Sequence, residues 1–309
     1  MIQRSPRKRL AYLLLTGTVL VWGVTFVLVK NALADCSPLL FNTIRMGLAT
    51  LALLAAHFRT LRRISRRELA AGALAGLFLA AGYHLQTLGL ARTSPAKSAF
   101  ITGMVVIFVP ALTLFPYLRP RHTGKPGWAA AVGAIISLCG LFLITTPAHT
   151  TLNTLFSSIG LGDFLTLGCA LAFAAHLLTL AHFARSMSAG LLATLQIGSC
   201  TLFMLMTLPA EHLRITLSGP LLLAFLICSL LATAAAFTVQ SFVQQILPPT
   251  HTVMLLALEP VFAYAVSVFV LHDSLGTRAL LGAGLLLLAI LATEFSPQPG
   301  PPVVTEIPA

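Results

Sequence analysis

Of the eight acidic residues in this sequence, seven fall near turns, tails or the ends of apolar runs. The eighth, Glu259, lies ten residues into the apolar stretch 250–271 and is followed directly by Pro260. A carboxyl group at that depth can carry a proton or hold a cationic group, and the two occupants exclude each other. Acids in apolar spans commonly serve ion or substrate pathways. Pro260 removes one helical hydrogen bond, which loosens the backbone beside the carboxyl. The complementary charge is Arg45, eight residues into the run 38–58, with Asn42 one turn away on the same face. An arginine at a bilayer centre costs about 2.5–3.5 kcal/mol on insertion scales, so it needs partners or water. Three readings stay open for Arg45: a structural group bonded to a neighbouring helix, a cation facing a central cavity, or a side chain snorkelling to the surface. For Glu259 the alternatives are a proton or substrate site and a purely structural partner of Arg45.

Other polar groups share these apolar runs. Tyr83, His84, Gln86 and Thr87 cluster in one, and Gln240, Gln244 and Gln245 in another. Such residues either line a cavity or hold helices together. Trp22 and Phe26, one turn apart, fit a cavity wall or simple packing. His176 sits where it could titrate near neutral pH or serve as a satisfied hydrogen bonder. Lys30, close to the end of its run, has a stem long enough to carry its ammonium to the interface. Gly72, Gly76 and Ala80 form a small-residue ridge that implies close helix packing.

These residues need membrane helices to position them. The 309-residue chain is 57% hydrophobic and 9% charged, with a mean hydropathy of +0.93. Soluble domains run to about 45–50% apolar and about 25% charged residues, so the composition is that of a polytopic membrane protein. Runs long enough to span a bilayer occur at 10–33, 38–58, 69–91, 97–118, 128–147, 161–184, 189–210, 219–243, 250–271 and 279–295. The expected fold is all-α with ten transmembrane helices. The net charge of +11 is concentrated in alternate loops, in Arg4, Arg7, Lys8 and Arg9, in the five arginines of 59–67, and in Arg119, Arg121 and Lys125. That pattern is the positive-inside bias, and it predicts both termini in the cytoplasm. No basic face is interleaved with aromatics, so nucleic acid is not an expected partner; the bilayer and a small-molecule substrate are, and a homodimer stays open. The five cysteines are scattered without a CxxC pair, and no cofactor or metal is expected. The basic start and "ALADC" resemble a cleaved signal, but the run is too long, and it is expected to be an uncleaved first helix.

The chain also repeats itself. At an offset of 151, Gly17 meets Gly168, Ser37 meets Ser188, Gly47 meets Gly198 and Thr50 meets Thr201. At 154, Gln86 meets Gln240, Pro95 meets Pro249 and Phe108 meets Phe262. The expected organisation is a tail at 1–9, five-helix repeats at 10–147 and 161–295, and a disordered proline-rich tail at 296–309. Five is odd, so the second repeat must enter the membrane upside down, an arrangement common in secondary transporters with their site near the midplane. The predicted substrate-binding set is Trp22, Asn42, Arg45, Tyr83, Gln86, Gln240 and Glu259, with Glu259 also the proton-coupling group.

The stretches "VWGVTFVLVKNAL", "SPLLFNTIRMGLATLALL", "AFITGMVVIFVP" and "LALEPVFAYAVSVF" resemble the EamA-type permeases of the drug/metabolite transporter superfamily. The resemblance covers nearly everything between the tails. It implies a ten-helix, two-repeat inner-membrane carrier for small metabolites, often an exporter of amino acids or related compounds. Two departures stand out: Val105-Val106 where the other repeat has Glu259-Pro260, and His272-Asp273 where the family often shows Gly-Glu. Catalytic signatures such as H-E-x-x-H, G-x-S-x-G and the phosphate-cradling loop are missing. The alternative, an intramembrane enzyme acting on a lipid or isoprenoid, would need a second carboxylate converging on Glu259.

Overall fold

The computed structural model describes residues 6–294, apart from 91, 94, 122, 148, 157–158 and 272–275. His272-Asp273, the tail from 296, and the side chains of Phe26 and Lys30 lie outside the described residues. The chain runs through α1 (Pro6–Asp35), α2 (Pro38–His57), α3 (Arg66–Leu90), α4 (Pro95–Gly103), α5 (Val105–Thr113) and α6 (Trp128–Thr145). After a short α7 (Leu152–Phe156) come α8 (Leu161–Phe183), α9 (Ala189–Thr207), α10 (Gly219–Ser229), a π-helical turn (Leu230–Ala235) and α11 (Ala236–Gln244). The described chain ends with α12 (Pro249–Leu256), α13 (Glu259–Leu271) and α14 (Thr277–Glu294). Among the described residues, six helical stretches, one of them α10 through α11, are long and apolar enough to cross a membrane. Leucines such as Leu51, Leu202, Leu222 and Leu288 are exposed on the outside of the protein, which suits a lipid surround. The protein is a multi-pass membrane protein.

Two expected spans are not single helices. The fourth is split into α4 and α5 at Met104, and the ninth into α12 and α13 at Ala257-Leu258. Pro260 explains the second break, because it has no N–H for the Leu256 carbonyl and its ring crowds that carbonyl. Glu259 therefore sits in the first turn of α13 rather than in the middle of a continuous helix. At the first break the weak helix former is Gly103. The two breaks fall at matching places, Met104 and Leu258 being 154 residues apart. Broken helices of this kind are tolerated at membrane depth only where protein or a cavity surrounds them.

The two halves meet along α2 and α9. Thr50 and Thr201, matched in the repeat, share a hydroxyl–hydroxyl hydrogen bond of 2.9 Å. Further along, His57 reaches Thr194 at 3.5 Å, so the two helices run antiparallel. α2 is anchored at its start by the 208–218 segment. The Glu211 carboxylate accepts the N–H groups of Leu39 and Leu40 at 3.0 and 3.1 Å, satisfying orphan donors at a helix N-terminus. Arg214 in turn donates to the Ala34 carbonyl at the end of α1, at 2.6 Å. This anchoring fixes the register of α2 and hence the position of Arg45.

The glycine ridge of α3 packs against α9. A Cβ at Gly76 would lie 2.6 Å from the Gln196 carbonyl oxygen and 2.7 Å from the Cys200 nitrogen, both main-chain atoms that cannot swing aside. We expect Gly76→Ala to cost about 1–3 kcal/mol, the usual penalty for overpacking. The melting temperature of the detergent-solubilised protein would report it; an unchanged value would mean that α3 and α9 are farther apart.

Candidate functional site

The π-helical turn organises the site. Thr233 sits within it and donates its hydroxyl to the Cys228 carbonyl, five residues back, at 2.7 Å. The Thr233 oxygen then accepts from Arg45 Nε at 2.8 Å. The neighbouring Ala232 carbonyl accepts the Trp22 indole N–H at 2.8 Å. Single-turn π-helices leave main-chain groups misaligned for helical bonding and occur frequently at functional sites. Here one turn holds side chains from both α1 and α2.

Arg45 is 7% exposed and reaches a second hydroxyl: its Nη2 donates to Tyr83 on α3 at 3.1 Å. The guanidinium carbon also lies 5.4 Å from the centre of the Tyr83 ring, close enough for a cation–π contribution. Aromatic rings complete this wall. Trp22 packs against Phe237 at 5.7 Å between ring centres, and Tyr83 meets Phe173 edge-on at 5.7 Å. Met46, Leu79, Ile197 and Cys200 back the rings from below.

Glu259 is half-buried. Gly23 brings α1 against α13 one turn after it: a Cβ there would be 2.8 Å from both the Ala263 nitrogen and the Phe262 Cβ. Among the described residues Arg45 and Glu259 make no direct ion pair; Arg45 turns to hydroxyls instead. Arginine has five N–H donors, and two are used by Thr233 and Tyr83. The site thus combines a cation with donors to spare and a carboxylate that accepts no hydrogen bond among the described residues.

Apart from Glu259, the predicted binding residues fall into three groups. Trp22, Arg45 and Tyr83 form one connected wall through Thr233 and Ala232. Asn42 and Gln86 are half-buried and flank it without a hydrogen bond to Arg45. Gln240 lies apart on α11, 3% exposed. His176 belongs to a separate buried chain: its Nε2 is 2.7 Å from Gln196 Oε1, whose amide donates to Ser241 at 3.1 Å. Thr233 and the Ala232 carbonyl were not among the candidates read from sequence. The only sequence signal was a hydroxyl residue inside the run Ala232-Thr233-Ala234-Ala235-Ala236, whose small side chains also let neighbours approach the backbone. Among the described residues no three His, Cys, Asp or Glu side chains converge as a metal-binding set.

Comparison with known proteins gives the family. A solved crystal structure superposes with a TM-score of 0.73 over 91% of this chain and 95% of its own, at 16% identity, a likeness of fold alone. An uncharacterized transporter from Archaeoglobus fulgidus is 30% identical over 274 residues, spanning 88% of this chain and 82% of its own length. A second uncharacterized transporter from the same organism is 27% identical over 142 residues, 46% of this chain and 49% of its own. The EamA-like transporter family matches twice in succession, over residues 9–146 and 160–294. With a repeated family domain covering nearly the whole length between the tails, the chain belongs to the EamA-like transporter family.

Proposed function

We propose that the protein is a secondary transporter of the inner membrane that moves a small zwitterionic metabolite, an amino acid or related compound, by alternating access. The observation that carries this reading is the pairing of Arg45 and Glu259. Trp22 and Gly23, adjacent on α1, touch the π-helical turn that holds Arg45 and the first turn of α13 that carries Glu259, and among the described residues the two charges make no ion pair. A zwitterion bound between them would turn its carboxylate toward the guanidinium and its amine toward the Glu259 carboxylate, with Trp22 and Tyr83 alongside Arg45. Export is the direction that the family resemblance implies.

The architecture we infer is ten spans in two inverted five-helix repeats, with both termini cytoplasmic. The antiparallel course of α2 and α9, which are equivalent helices of the two repeats, supports the inversion. So do the helix breaks at equivalent places in α4–α5 and α12–α13. Half-helix ends near the midplane are where carriers of this kind hold substrate and coupling ion. Because a proton and a substrate amine compete for the one carboxyl of Glu259, their exchange couples transport to a proton gradient.

Two measurements test this. Purified protein in liposomes should show counterflow of at least one member of a panel of labelled amino acids, organic acids and amines, with no chemical change in the solute. A covalently altered solute without counterflow would point to an enzyme. Reporter fusions should place Ser65 and Gln298 in the cytoplasm and Thr150 outside; an external Gln298 would overturn the ten-span topology.

A further inference from the structure

Repeat-equivalent residues of α3 and α11 differ in exposure. At the offset of 154, Tyr83, Gln86 and Thr87 correspond to Phe237, Gln240 and Ser241. The first three are half-buried, whereas the second three are 3%, 3% and 0% exposed. Lipid contact does not account for the openness of Tyr83 and Gln86. Alongside these residues in the outer half of α3, and in its middle, the exposed leucines Leu74, Leu77 and Leu88 occupy the opposite side of that helix by its 3.6-residue period; exposed Leu69 lies in its first turn, more than three turns away. Tyr83 and Gln86 therefore open onto space between helices. Of their counterparts on α11, Phe237 is packed among Met46, Leu79 and Ile197, while Gln240 and Gln244 flank Val243, which is buried in an apolar cluster with Leu15, Leu177, Leu178, Leu247 and Val253.

Within that closed region two carboxamides are stranded. Gln244 is 0% exposed and neither its oxygen nor its nitrogen has a hydrogen-bond partner; one turn before it, the Gln240 oxygen is also without one. Buried polar groups are overwhelmingly paired in folded proteins, because an unpaired one forfeits its hydration. Two such side chains on one turn of one helix point to a segment that is wetted in some other conformation.

We propose that Gln240 and Gln244 line the cytoplasmic half of the transport pathway, sealed in the present conformation and hydrated when the cytoplasmic side opens. This rests on the alternating-access reading above and identifies the conformation as the outward-facing one. When access switches, the exposures of the two repeats exchange: Gln240, Gln244 and Ser241 become wet while Gln86 and Thr87 are covered. A carboxamide both donates and accepts but carries no charge. It can pass either end of a zwitterion without holding it, which suits an access path rather than a binding site. The seal itself closes where α1 meets α12, at Tyr12 and His251, whose polar atoms are 3.3 Å apart.

Thiol accessibility tests the proposal. In protein freed of its five native cysteines, Gln244→Cys should react with a small cationic methanethiosulfonate applied to the cytoplasmic face of inverted vesicles. The rate should exceed that of Leu192→Cys, equally buried on α9, by more than about tenfold, since even a minor state at about 0.1–10% population gives repeated access. Bridging Tyr12→Cys to His251→Cys with a short bifunctional reagent should abolish that reactivity and leave Gln86→Cys reactive from outside. If Gln244→Cys is as inert as Leu192→Cys while the cysteine-free parent shows counterflow, the inference falls and the transporter reading stands. If the parent shows no counterflow across the whole labelled panel, the reading beneath it falls instead. Should Gln244→Cys fail to fold, Gln244→Met decides: it should raise the melting temperature and slow transport, and a lowered melting temperature would mean that the amide is satisfied inside the closed protein.

Discussion

Glu259→Gln should give a folded, membrane-inserted protein that no longer responds to a proton gradient. The wild-type carboxylate has no hydrogen bond or direct ion pair among the described residues, so removing its charge leaves nothing in the protein without a partner. The melting temperature should hold or rise. A bound amine, by contrast, loses a charge-assisted hydrogen bond worth about 1.5–3 kcal/mol, which is a loss of about 10–100-fold in affinity. The opposite pattern is diagnostic too. If Glu259 were only the counter-ion of Arg45, deleting it would strand a buried guanidinium and destabilise the fold by about 3–5 kcal/mol. Detergent melting curves beside transport assays separate the two, because one role moves transport alone and the other moves stability first.

Arg45→Gln should do both kinds of damage. Arg45 is held by Thr233 and Tyr83, hydroxyls on two different helices, so the change removes two charge-assisted bonds at about 1.5–3 kcal/mol each. It also removes the group that would hold a substrate carboxylate. Tyr83→Phe deletes only one of those bonds and should cost correspondingly less. Because the three side chains form one network, Arg45→Gln combined with Tyr83→Phe should be less harmful than the sum of the single changes, by about 0.5–3 kcal/mol. Strict additivity would show that the Arg45–Tyr83 contact contributes nothing. The pair Arg45→Gln with Glu259→Gln should remain inactive; full transport in that double variant would refute coupling through Glu259.

The ends of the helices were legible in the sequence because apolar length and turn residues fix them locally. The spans around 38–57, 128–145, 161–183 and 189–207 lie within a few residues of their expected limits. The breaks were less legible. Pro260 announced one, although its consequence, Glu259 opening a new half-helix, depends on how α12 and α13 dock. Nothing as local announced the π-helical turn at 230–235, since a π-turn is stabilised by what its misaligned groups bind, here Trp22 and Arg45 more than 180 residues away. For the same reason the charge of Arg45 was visible in sequence, but its bonding to hydroxyls rather than to an acid was not. Gln240 and Gln86 looked alike as letters in a repeat. Their different burial belongs to the conformation, and a sequence does not encode which conformation is adopted at a given moment.

One comparison tests proton coupling through Glu259 most directly. Wild-type protein and Glu259→Gln would be reconstituted into liposomes, and uptake followed for the labelled amino acid that most stabilises the wild type against heat. Each preparation would be assayed with and without an imposed pH gradient. The wild type should show gradient-driven accumulation and Glu259→Gln none, from protein that melts at the same temperature or higher. Equal accumulation by the two would contradict that coupling.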